Sequence, residues 1–155
     1  MYKFFILFFA VISLQIHSQE LRKGFYLQYS TPRVKIEIKD GIIYHNTFRE
    51  LYENSLSTMP TKKEPLNRKA SITEYQTMTL VKATERVKFF DLKNEYGASP
   101  NEKFYQYSLE IKVGDASKLV VFRSNPSFEG APEEFNRVIQ EVNLVLDSIS
   151  KWETN

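Results

Sequence analysis

Residues 104–113, FYQYSLEIKV, constrain the fold more than any other stretch of the chain. Tyr105, Tyr107, Leu109, Ile111 and Val113 alternate with polar residues. A period of two sends one set of side chains to an apolar layer and the other to water, which is the pattern of a half-buried strand. Gly114-Asp115-Ala116 then turns the chain, and Leu119–Phe122 returns as the partner strand. Phe104 and Phe122 have the opposite parity to the Tyr105–Val113 set, which assigns them to the second face of the sheet. Val34–Lys39 repeats the alternation and runs into Asp40-Gly41, a strong hairpin signal. A three-residue loop, Lys39-Asp40-Gly41, would pair Ile38 with Ile42 and Ile36 with Tyr44. It buries more apolar surface than a two-residue loop and turns His45 outward, so it is the expected register. Phe25–Ser30 has strand-type residues, but its place relative to the sheet is left open.

Two segments change period. Ile72, Gln76, Leu80, Ala83, Val87 and Phe90 recur every three or four residues behind a Ser71-x-x-Glu74 spacing, which predicts an amphipathic helix over 71–90 with Tyr75 flanking its stripe. Phe135, Val138, Ile139, Val142, Val145, Leu146, Ile149 and Trp152 predict a second helix of five turns, opened by Pro132 with Glu133 and Glu134 near its positive end. Residues 49–70 lose periodicity around Pro60 and Pro65. They are expected to form a long polar loop, centred on 53–70, with a frayed strand end at Leu51-Tyr52. Asn94–Glu102 reads as a turn-rich loop. The expected fold is α+β: an antiparallel sheet of about four or five strands with two amphipathic helices on one face.

The N-terminus predicts an address. Lys3 precedes the apolar run Phe4–Leu14, and Ser18 is a small residue suited to cleavage before Gln19. Residues 1–18 therefore read as a signal peptide, and 19–155 as a single domain. Export to a periplasm or the exterior follows, with no stable membrane insertion after cleavage. Loss of Lys3 takes the basic residues from 21 to 20 against 19 acidic ones, a balance that argues against a dedicated nucleic-acid binder. The chain has no cysteine, so stability must come from packing and hydrogen bonds instead of disulfides.

Motifs for chemistry are sparse. No metal site or cofactor is expected, because structural zinc needs about four Cys or His ligands and the chain has only His17 and His45. No catalytic residue is assigned, since Gly97-Ala98-Ser99-Pro100-Asn101 lacks the final glycine of a nucleophile elbow. Lys62, Lys63, Arg68 and Lys69 form a basic cluster that could meet an acidic partner. Around Gly130 and Pro132, Pro132 removes a donor and Glu133 and Glu134 compete with any anion, so the stretch turns the chain. Arg123 at its entrance and Phe128 within it join the candidate binding residues. Phe128 is expected either to pack under the first helical turn near Phe135 or to anchor a partner.

Phe89-Phe90-Asp91-Leu92, then Phe104-Tyr105-Gln106-Tyr107-Ser108-Leu109-Glu110-Ile111, then a hairpin and an Ala131-Pro132 helix start form a recurring order. This order resembles the emfourin-like family, small α+β proteins named for a metalloprotease inhibitor. The resemblance covers residues 74–149, and the longer 49–70 loop and the absence of a glycine-rich opening hairpin depart from it. It implies the sheet-plus-helices architecture and a protein-binding, inhibitor-like role, with no inhibitory residues carried over. The expectation is an exported, non-catalytic domain that binds a protein or cell-surface partner. Two other readings stay open: a small carboxylate-dependent hydrolase, with or without His45, and a carrier of a small apolar ligand.

Overall fold

A computed structural model describes residues 24–51, 60–128 and 130–154. The predicted signal peptide and residues 53–59 of the predicted loop lie outside them. In chain order the elements are β1 (Phe25–Ser30), β2 (Lys35–Lys39), β3 (Ile42–Leu51), β4 (Lys62–Ser71), α1 (Glu74–Arg86), a short 3-10 turn (Phe89–Asp91), β5 (Glu95–Gly97), β6 (Tyr105–Val113), β7 (Ala116–Ser124), α2 (Glu133–Asp147) and β8 (Glu153–Thr154). The fold is α+β, but the sheet is larger than expected. It has eight strands in the order β5-β7-β6-β1-β2-β3-β4-β8. It is also mixed, because β5 runs parallel to β7 while the other pairings are antiparallel. β1 joins the two hairpins, pairing with β2 on one side and β6 on the other.

The first hairpin takes the register that the burial argument rejected. Ile38 faces Ile43 and Ile36 faces His45. Asp40 and Gly41 both have positive φ, 53° and 74°, as the two-residue turn that matches strand twist requires. Turn geometry wins because the rejected face is not lost to water. Ile42 and Tyr44 stay half-buried on the sheet's open side, while Ile43 is fully buried. His45 therefore sits on the helix side of the sheet, not outward.

The largest correction is at 62–71. These residues are not loop but a ten-residue strand, paired with β3 from Leu51↔Lys62 to Ile42↔Ser71. Their alternation is hidden by polarity, because the buried end is marked only by Ala70. Pro65 read as a breaker. It is tolerated because the outer side of β4 is paired only at Arg68 and Lys69 among the described residues, and an edge position needs no donor there.

Both helices differ at their ends. α1 starts at a capping box of Thr73 and Gln76, not Ser71 and Glu74. The Gln76 N–H donates to Thr73 Oγ1 at 3.2 Å, and the Thr73 N–H donates to Gln76 Oε1 at 2.7 Å. Tyr75, flanking the stripe, is almost wholly exposed. α2 ends at Asp147, so Ile149 and Trp152 fall in the segment that runs on to β8, and Pro132 is the N-cap and not a first-turn residue. The turn-rich stretch after the 3-10 turn contains β5.

One face of the sheet is buried under the helices. Leu27, Ile38, Ile43, Leu109, Ile111 and Val120 from the strands form one cluster with Leu80, Val81, Phe135, Val138, Val142 and Val145 from the helices. Phe122 faces this side, opposite Tyr107, instead of decorating the second face. The other face carries ion pairs between neighbouring strand positions: Lys35–Glu37, Glu110–Lys112, Glu50–Lys63 and Lys69–Glu153.

Candidate functional site

The predicted cations do not converge on one patch. Because β4 is a strand, successive side chains point to opposite faces. Lys62 and Arg68 share the helix side, and Lys63 and Lys69 the open side. Each has a partner. Lys62 reaches Glu64 at 2.8 Å, Lys63 reaches Glu50 at 3.2 Å and Lys69 reaches Glu153 at 3.6 Å. Arg123 lies on β7, five strand spacings from β4, or about 24 Å at ~4.8 Å per strand. There it pairs with Glu95 at 2.9 Å and lies over the Phe104 ring. The basic cluster read from sequence is therefore three separate ion pairs and an Arg68 that meets His45 instead of a carboxylate. Lysines and a proline on an edge strand also protect it from unwanted pairing, which suits Lys62, Lys63 and Pro65.

Phe128 does not pack under α2. It closes a tight loop beyond β7, where Asn125 and Phe128 exchange backbone hydrogen bonds and Asn125 Oδ1 accepts from the N–H groups of Ser127 and Phe128. Its side chain is 47% exposed. Phe135, its expected neighbour, instead buries itself edge-on against Tyr29.

The exposed end of Phe128 is not alone. Asn46, Lys35, Ser30 and Ser108 lie in one row across β3, β2, β1 and β6. Phe48 lies two residues beyond that row and Tyr105 three residues beyond it, toward the same end of the sheet at which β7 runs into the Phe128 loop. Phe48 is 54% exposed and Tyr105 67%. These three large apolar side chains all lie at one end of the sheet, Phe48 on its open face and Tyr105, in phase with Tyr107 and Leu109, on its helix face. Phe48 stands opposite Pro65, and the two line a shallow groove of about 310 Å³ with Pro32 and Val34. Hydrogen bonds brace the groove wall. Thr31 Oγ1 accepts from the N–H groups of Arg33 and Val34, the Thr31 N–H donates to the Val34 carbonyl at 2.8 Å, and Thr47 Oγ1 donates to the Arg33 carbonyl. Exposed aromatics are common anchors of protein contacts. Sequence reasoning missed Phe48. Its signal was a lone aromatic in the polar run HNTFRE.

A second cluster was also missed, because its members are far apart in sequence. Arg68 Nε donates to His45 Nδ1 at 2.9 Å, and the Arg68 guanidinium lies 4.2 Å from the centre of the Trp152 ring. His45 and Trp152 rings are 6.0 Å apart. Burial, with the Arg68 charge adding to it, holds the His45 imidazole below its ordinary 6.5. The unfolded chain therefore takes up a proton near pH 6.5 that the folded chain accepts only at lower pH. This contribution to stability is present above 6.5, falls as pH drops below it, and levels off under the folded value. Urea midpoints at pH 7.5 and 5.0 check this. The loss on acidification is expected to be smaller in His45→Gln, which still offers Arg68 an acceptor, and an equal loss in both proteins contradicts it.

Among the described residues, no group of three or more His, Asp or Glu side chains is placed to hold a metal ion. No helix of the described residues is long and apolar enough to cross a membrane. No protein-family model and no curated protein matches the chain.

Proposed function

We propose that the chain is an exported, non-catalytic binding domain, periplasmic or secreted, that engages a protein partner through the apolar rim of Phe48, Tyr105 and Phe128. The observation that carries this reading is the exposure of these three large side chains at one end of a sheet whose polar decoration is largely paired with itself. An inhibitor-like action on a protease, as the emfourin-like resemblance implies, is one form of this activity. It is read by adding the protein to secreted zinc metalloproteases and following their hydrolysis of a peptide substrate.

The enzyme and carrier readings have less support. His45 spends its Nδ1 lone pair on Arg68 and is a weakened base. Glu37, Glu50, Glu64, Glu95, Glu110, Glu133 and Glu153 all sit against cations. The layer between sheet and helices, where an apolar ligand would lie, is filled by side chains such as Leu27, Ile38, Leu80, Leu109 and Val142.

The test is capture of exported proteins of the source cell on the immobilised protein. A partner retained by the wild type and by Tyr75→Ser, but reduced at least about tenfold by Phe48→Ser with Phe128→Ser, is expected. Equal retention by all three contradicts the rim. Export has its own readout. The protein recovered outside the cytoplasm is expected to begin at Gln19, and an intact Met1 contradicts cleavage.

A further inference from the structure

β8 is the least anchored part of the sheet. It is two residues long, both exposed, and pairs only Thr154 with Arg68 and Glu153 with Lys69. Beneath it, β4 from Leu66 to Ser71 carries no proline, unlike the stretch around Pro65. An edge strand is a template for another strand. Here the chain's own residues define what the template recognises. Trp152 stacks on Arg68 beside His45 on the helix side of the sheet, and Glu153 meets Lys69 on the open side. The seat therefore holds an aromatic residue by a guanidinium and the next residue by an ammonium. A strand in the register of β8 that went further would face Asn67 and Leu66, which no described residue pairs on that side. At the other end a cleft of about 370 Å³ between Ala70, Ser71, Gln76 and the Ser148–Lys151 segment leaves room for the chain that leads in.

We propose that the edge of β4 from Leu66 to Ser71 is a docking seat for an extended segment of another polypeptide carrying an aromatic residue followed by an acidic one, with β8 as its intramolecular occupant. Such a segment gains backbone hydrogen bonds along six residues where β8 reaches two, so it displaces β8 by pairing a longer stretch of the same edge. The seat meets the Phe48 groove at Asn67, and the two are tested independently.

The probe is a fluorescein-labelled peptide of the chain's own residues 148–155, SISKWETN, whose last five residues fall opposite Ser71 to Asn67 in the register of β8, followed by anisotropy. Trp152→Ala removes the anchor of β8 and leaves β4 intact. This variant is expected to bind the peptide saturably and about tenfold more tightly than the wild type does. Adding Arg68→Gln, or replacing the peptide's tryptophan by alanine, is expected to abolish binding, and Phe48→Ser to leave it unchanged. Absence of saturable binding to Trp152→Ala overturns the proposal, as does binding that survives Arg68→Gln. Circular dichroism checks that the variant folds. Should it not, Glu153→Lys weakens β8 through Lys69 and takes the same tests.

Discussion

Replacing Phe89 by alanine is expected to cost about 3–5 kcal/mol of stability, the range for emptying a buried phenylalanine site. Phe89 is 0% exposed. It stands where α1 gives way to the sheet. Lys88 takes a left-handed backbone, φ 52°, that ends the helix and throws the next residue inward. The Val87 N–H still donates to Ala83 and the Lys88 N–H to Glu85, so the turn is closed just before Phe89 enters the core. The ring then meets Phe90 edge-on at 6.0 Å. Truncation removes the plug between α1 and the strands, and neither side can collapse without breaking that turn. The melting temperature is expected to fall by roughly 10–15 °C. Tyr75→Ala, on the same helix but 81% exposed, is expected to stay within about 0.5 kcal/mol. Equal effects at the two positions would contradict the packing described.

Gly97→Ala is expected to be the next most damaging single change, at about 3 kcal/mol. Gly97 has φ 88°, and a Cβ there would lie 2.1 Å from the Arg123 carbonyl oxygen and 2.9 Å from its carbon. Those atoms are backbone and cannot swing aside. The same carbonyl accepts the Ala98 N–H at 2.9 Å, the bond that closes the parallel β5–β7 edge. Amide exchange at Ala98 and Val121 is expected to speed up before exchange in β1 and β6. Gly114→Ala, also at positive φ but with open space at its Cβ, is expected to cost about 1 kcal/mol. A Gly97 variant as stable as the Gly114 variant contradicts the close approach.

Much of the core was legible because it follows a period. Leu109 and Ile111 on β6, Ile36 and Ile38 on β2, and Val138, Val142 and Val145 on α2 announce their faces by spacing alone, and all are buried. β4 was not legible. Lys62, Glu64, Leu66 and Arg68 alternate with Lys63, Pro65, Asn67 and Lys69, so neither face of the outer half is apolar. What makes it a strand is ten residues of pairing with β3, and no local pattern reports that. The hairpin register failed for a related reason. Counting buried surface on one face ignores a second face that shelters Ile42 and Tyr44, while the twist of the two-residue turn at Asp40-Gly41 decides the pairing.

The candidate site divides the same way. Phe128 was visible as an apolar residue in a polar loop, and it closes the tight Asn125–Phe128 turn with its side chain about half exposed. That Phe48 and Tyr105 lie toward the same end of the sheet as Phe128 depends on β1 lying between the two hairpins, the placement that sequence left open. The basic residues looked like a patch because they are close in sequence, and the strand separates them onto two faces. His45, Arg68 and Trp152 meet through pairing of β3, β4 and β8, at separations that no motif spans.

The central claim is that the rim of the sheet, not the helix face, meets a protein partner. A photoreactive benzoyl-phenylalanine placed at position 48, and in a separate protein at position 75, tests it in the exported fraction of the source cell. Both positions are exposed, so reactivity alone does not separate them. One discrete covalent adduct from position 48 and none of that mass from position 75 is the predicted result. No adduct from position 48, or the same adducts from both positions, would contradict the account.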